Sequence, residues 1–172
     1  MKVRQILLVA LLVACAGCNN SVSVPVVDTS AQDQTDIKAL EDGFAAAFKA
    51  KDVNAIMAYY VPDQTMVAFD VIPPLQYAGA DAYRKDWQDT FAMYPGPADL
   101  SINDLDITTG GNVAFSHSLQ KGYLTDKKGK KMEMTVRVTD GYKKVNGHWL
   151  IAHEHASIPV DPVTMKGDMN AK

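Results

Sequence analysis

The chain has 172 residues, with 17 Lys+Arg against 20 Asp+Glu, a formal net charge of −3, and 47% hydrophobic and 22% charged residues. These proportions describe one ordinary globular domain and exclude a disordered, collagen-like or multi-span membrane chain. The weak negative charge argues against a nucleic-acid partner held by phosphate neutralisation. The two cysteines, Cys15 and Cys18, leave no disulfide framework, zinc–cysteine site or thiol nucleophile for the body of the chain.

Lys2 and Arg4 precede an apolar run over 6–14, ILLVALLVA. A basic start followed by a short apolar stretch is a secretory signal. The run is too short for a membrane span, which needs roughly 20 residues. Leu12-Val13-Ala14-Cys15 resembles a bacterial lipobox, so residues 1–17 are expected to be a lipoprotein signal segment acylated at Cys15, alternatively at Cys18. The plain alternative is an ordinary secretory peptide cut nearby. The lipoprotein reading places the protein in the bacterial cell envelope, lipid-anchored, on the outer membrane or periplasmic face of a Gram-negative cell. Residues 18–33 are polar, with Pro25 and several serines, and read as a flexible tether. Residues 160–172 carry no periodic pattern and read as a loose tail, which leaves 34–159 for the domain.

Within the domain, Ile37, Leu40, Phe44, Ala47 and Phe48 recur at helical spacing, predicting a helix over 34–50 capped by Thr35 or Asp36. Asp52 caps a second, short helix that ends before Pro62-Asp63. Residues 64–70 read as a strand, and Pro73-Pro74 as a loop or edge. Gly79 to Met93 is a third helix with Tyr83, Trp87 and Phe91 inward. From residue 99 the period changes to two, predicting strands at 99–108, 112–124, 131–145 and 148–158. Their turns fall at Gly110-Gly111, at 126–131 and at Asn146-Gly147, the last a strong hairpin signal. A helical half followed by four long strands predicts an α+β domain with one curved antiparallel sheet over the helices. The lysines of the 126–131 turn read as a solvated hairpin tip.

The closing hairpin carries the residues best suited to chemistry. Regular pairing puts Trp149, Ile151, His153 and His155 on one face, with His153 opposite Asp140. A bulge at Gly141 would instead set His153 opposite Thr139 and His155 opposite Arg137, lining one surface with Arg137, Thr139, His153 and His155. The second register is preferred because it separates these polar groups from Met134, Val136 and Val138. His153, His155, Asp70 and Arg137 are therefore the candidate catalytic group: histidine titrates near neutrality, a carboxylate can orient it, and arginine can hold an oxyanion. Tyr60, Trp87, His117, Thr139 and Trp149 are candidate ligand contacts, with core packing as the plainer role for the aromatics. His-x-His with His117 or Asp70 could hold a divalent metal, but two ligands two apart are a weak signal, so no metal or cofactor is expected. No Gly-x-Ser-x-Gly, Walker or GxGxxG motif occurs.

Several segments resemble the SnoaL-like group of the nuclear-transport-factor-2-like superfamily, which also contains ketosteroid isomerases. They are Ala45-Ala46-Ala47-Phe48, Lys51-Asp52, Tyr60 through Asp70, Gly79 through Arg84, Arg137-Val138-Thr139, and above all Gly147-His148-Trp149 running to His155-Ala156-Ser157-Ile158-Pro159. The resemblance implies a cone: three helices packed in a bent sheet, a pocket at the open end, and homodimers through the outer sheet face. Ketosteroid isomerase uses an aspartate base and an oxyanion hole of tyrosine and protonated aspartic acid. The base position falls near Ala68, with Asp70 two residues on, and the tyrosine position near Phe44 or Phe48, which cannot donate.

Three functions follow as expectations. The first is an envelope lipoprotein whose cone pocket binds a small apolar or amphipathic molecule. The second is an acid–base enzyme of isomerase, lyase or hydrolase type. The third is a protein-interaction or assembly module using the outer sheet.

Overall fold

The computed structural model describes residues 29–171. The expected signal segment, Cys15, Cys18 and the tether up to residue 28 lie outside the described residues. The elements are α1 (Ser30–Ala50), α2 (Val53–Met57), β1 (Val67–Phe69), β2 (Tyr77–Ala78), α3 (Ala80–Met93), β3 (Asp99–Gly110), β4 (Val113–Thr125), β5 (Lys131–Val145) and β6 (His148–Ser157).

Helix α1 begins earlier than its apolar pattern suggests, so residues 30–33 of the expected tether are helical and neither Thr35 nor Asp36 is the cap. The extra turn is held by a polar anchor that periodicity does not register. Asp33 is 2% exposed and accepts hydrogen bonds from Thr29 Oγ1, Lys144 Nζ and Trp149 Nε1. Lys144 above all, with help from Thr29 and Trp149, holds the Asp33 carboxyl below its ordinary pKa. Lys51 ends the helix in the left-handed region at φ 56°, where Lys51 N–H donates to Phe48 O and Asp52 N–H to Ala47 O, the two bonds of a Schellman cap. Asp52 then caps α2 by accepting from Ala55 N–H at 3.0 Å, as expected.

The strands form one sheet in the order β2-β1-β6-β5-β4-β3. All neighbours are antiparallel except β1, which lies parallel to β6. The four long strands fall close to their expected bounds. At Asn146-Gly147 both residues have positive φ, 51° and 84°, which the two-residue primed turn requires. The sheet curls over the helices and closes on a core that includes Ile37, Phe44, Ile56, Met66, Tyr83 and Ile151. Edge-to-face aromatic pairs run through it, including Phe44–Trp87, Phe48–Phe91 and Tyr60–Tyr83.

The β5–β6 register differs from both expected pairings. Val145 pairs with His148 and Tyr142 with Ile151, but Gly141 pairs with His153, so Ala152 is an extra residue on β6. A bulge is present near Gly141, as expected, but on the opposite strand. Asp140 then faces Glu154 and Thr139 faces His155. Trp149 and Ile151 point into the cone, and the bulge at Ala152, itself buried, shifts the alternation by one so that Glu154 is buried inside.

The last segment is not loose. Val160 bridges Gly167, Asp161 Oδ1 accepts from Val163 and Thr164 N–H, and Thr135 N–H donates to Met169 O at 2.6 Å. This brings the chain back over the sheet.

Candidate functional site

Between the helices and the sheet lies a cavity of about 320 Å³, at the lower end of the roughly 300–1,000 Å³ typical of small-molecule sites. Phe44 and Phe48 of α1, with Tyr83 and Trp87 of α3, form one wall. The opposite wall is the inner face of β5, where alternation directs Met132, Met134, Val136 and Val138 to one side. Ile72 and Met93, both exposed, lie at the rim, and Met169 covers one flank. Three carboxyls interrupt this apolar lining: Asp70 after β1, Asp86 on α3 and Glu154 on β6.

Glu154 is 8% exposed, and each of its oxygens accepts a tyrosine hydroxyl, Oε2 from Tyr60 at 2.5 Å and Oε1 from Tyr83. Burial raises its pKa to about 7; the two tyrosines pull against that, while Asp70 and Glu41 push it further up. Burial also raises the Asp70 carboxyl, partly offset by Val71 N–H donating to Oδ1 at 2.5 Å, with Asp86 adding to the rise. Asp86 accepts from Tyr77 OH at 2.6 Å.

Behind the cavity lies a second buried carboxyl group. Tyr142 OH donates to Glu41 Oε1 at 2.6 Å and sits 2.7 Å from Ser116 Oγ, which therefore donates to it. Burial raises Glu41. Asp140 lies between Glu41 and Glu154, 2% exposed, with Oδ1 lacking a partner among the described residues. Burial first, then Glu154 and Glu41, push its pKa well up.

The expected site residues divide between two faces. Asp70 and Trp87 line the cavity, and Tyr60 sits behind it, bonded to Glu154. Trp149 is buried against Asp33, away from the cavity lining. His117, Thr139 and His155 are register partners in one row, and all three are exposed on the outer face, as is Arg137. His153 is half-buried there, donating from Nδ1 to Val67 O at 3.0 Å, and Phe69 packs edge-on against both His153 and His155. The expected grouping of Arg137, Thr139, His153 and His155 on one surface therefore exists, but outside the cone and apart from Asp70. The cause is the bulge at Ala152, which turns Glu154 inward. Among the described residues no three His, Cys, Asp or Glu side chains are placed to hold a metal ion.

Glu154, Asp86 and Glu41 are not among the residues the sequence singles out, and Asp140, expected opposite His153 in the regular register, pairs with Glu154 instead. Glu154 had one available signal: in His153-Glu154-His155, alternation sends the glutamate to the face opposite both histidines.

The SnoaL-like domain family matches residues 37–161. The chain belongs to the SnoaL-like family. Among solved structures, this SnoaL-like protein is similar to a nuclear-transport-factor-2-like protein of unknown function from Pseudomonas putida, at 31% identity and TM-score 0.74, covering 83% of this chain and 98% of that one. It shares its fold with a nuclear-transport-factor-2-like superfamily protein from Salmonella enterica, at 15% identity and TM-score 0.71, covering 80% and 99%. It also shares its fold with a proposed dehydratase from Streptomyces avermitilis, at 14% identity and TM-score 0.66, covering 75% and 97%. No curated protein matches the chain.

Proposed function

We propose that this SnoaL-like protein is an exported, lipid-anchored binder of a small, largely apolar or amphipathic molecule, held in the cone cavity. The observation that carries the reading is the cavity itself: about 320 Å³ of space walled by aromatic and methionine side chains with a few carboxyls at fixed positions. Anchoring rests on the basic start, the short apolar run and Leu12-Val13-Ala14-Cys15. The test is native mass spectrometry of protein purified from the envelope. A co-purifying small molecule that disappears in Met134→Trp, which fills the cavity, is the expected result. Equal occupancy in that variant, or none in either protein, would overturn the reading. The same spectra report the acyl mass, which Cys15→Ser, or alternatively Cys18→Ser, removes.

A second reading is acid–base catalysis in the same cavity, favoured by Asp70 and Glu154 having raised pKa values in an apolar lining. The similarity to a proposed dehydratase fits proton-transfer chemistry of this kind, with Asp70 as the base. His153, His155 and Arg137 have no part in this version, since they lie on the outer face. That face, with Phe69, Phe115 and Leu119 exposed, is the surface proposed for a homodimer.

A further inference from the structure

The charge in the cavity is one-sided. Asp70, Asp86 and Glu154 line it, and among the described residues no lysine, arginine or histidine does. Lys51 is close in the fold, but its ammonium group is bound to the carbonyls of Tyr94 and Gly96. The three carboxyls are not equally engaged. Both oxygens of Glu154 accept tyrosine hydroxyls and Asp86 accepts Tyr77 OH, whereas among the described residues Asp70 accepts only from Val71 N–H, at Oδ1. A neutral apolar ligand filling the cavity would strip water from the Asp70 carboxylate without replacing it, and an anion would add repulsion; an ammonium group meets both problems with a paired charge. The facing wall is built of ring systems whose faces attract cations, including Phe44, Tyr83 and Trp87.

We propose that the cavity selects a small amphipathic amine, protonated at neutral pH, with its ammonium at Asp70 and its apolar body between the aromatic wall and the methionines of β5. This rests on the ligand-binding reading above and narrows it to one chemical class.

The test uses three probes with one aromatic body, naphthylethylamine, naphthylethanol and naphthylacetate, in equilibrium dialysis against the mature protein. The amine is expected to bind about ten-fold more tightly than the alcohol, a modest charge-pair preference, and the acetate most weakly. Asp70→Asn should bring the amine-to-alcohol ratio close to one by weakening the amine; Asp70→Ser, which keeps an acceptor for Val71 N–H, serves the same purpose should the first variant not fold. Asp81→Asn, an exposed carboxylate on α3, should leave the ratio untouched. Alcohol binding as tight as the amine, or a ratio unaffected by Asp70→Asn, would overturn the amine assignment and leave the binding cavity standing. Failure of all three probes, with no effect of Met134→Trp, would remove the binding reading itself.

Discussion

Asp140 and Glu154 are register partners across the β5–β6 ladder, and both carboxyls turn into the cone, where Glu154 adds to the cost of ionising Asp140. With Glu41 they form an acidic interior that is most comfortable protonated. Their pKa values are raised in the folded state, so the folded protein holds protons that the unfolded chain gives up. The resulting stability is complete below the ordinary carboxylate pKa and is lost as pH rises through about 7, the value for Glu154. For Glu154 alone the shift corresponds to something on the order of 3 kcal/mol. The melting temperature should be higher at pH 5.5 than at pH 8. Asp140→Asn, which removes one of these buried titratable carboxyls without changing shape, should raise the pH 8 value and shrink the difference. A melting temperature flat across this range would contradict the account.

Asp33 ties the first turn of α1 to Lys144 and Trp149 on the closing hairpin. Lys144→Met removes the cation and leaves the buried carboxylate without its main partner, an arrangement that costs more than never having built the pair. Differential scanning fluorimetry should show a melting temperature several degrees lower. Adding Asp33→Asn to that variant should recover part of the loss, because the orphaned charge is then gone.

Two glycines of the sheet should respond in opposite ways. A Cβ at Gly122 would lie 2.3 Å from Asp99 O, a backbone atom of β3 that cannot move aside without opening the ladder. Gly122→Ala should destabilise by about 2 kcal/mol or more. At Gly141 the nearest atom to a new Cβ is His153 Cβ at 3.6 Å, an ordinary contact. Gly141→Ala should be neutral or stabilising by up to about 1 kcal/mol, since alanine has less chain freedom to lose. Urea unfolding of the two variants measures both.

His155 is exposed on the outer sheet face, and Phe115 and Leu119 stand out on the same face. His155→Ala should therefore leave ligand binding in the cavity unchanged, with a melting temperature close to that of the parent. Phe115→Glu places a charge in the surface proposed for a second copy and should shift a dimer toward monomer in sedimentation equilibrium. Loss of cavity binding in His155→Ala would return that histidine to the site.

Much of the fold was legible along the chain. The Asp52 cap, the Asn146-Gly147 turn and the two-residue period from residue 99 are local signals, each set by groups within a few residues of one another, and the structure follows them. The C-terminal fold-back was not legible, because Met169 is held by Thr135, a partner far away in sequence. Nor was the early start of α1, whose anchor lies on β5 and β6.

The candidate site shows the same division more sharply. The sequence by itself narrowed any chemistry to histidine, arginine and carboxylate, and among the residues it named Asp70 and Trp87 line the cavity. Only the tertiary structure decided which side of β6 faces inward. In a strand, one inserted residue exchanges the two faces of everything beyond it, and neither neighbouring sequence nor residue type fixes where that residue goes. The bulge at Ala152 is settled by how β6 meets β5 on one edge and β1 on the other. Its outcome puts Glu154 in the cavity and His153 and His155 on the outside of the cone.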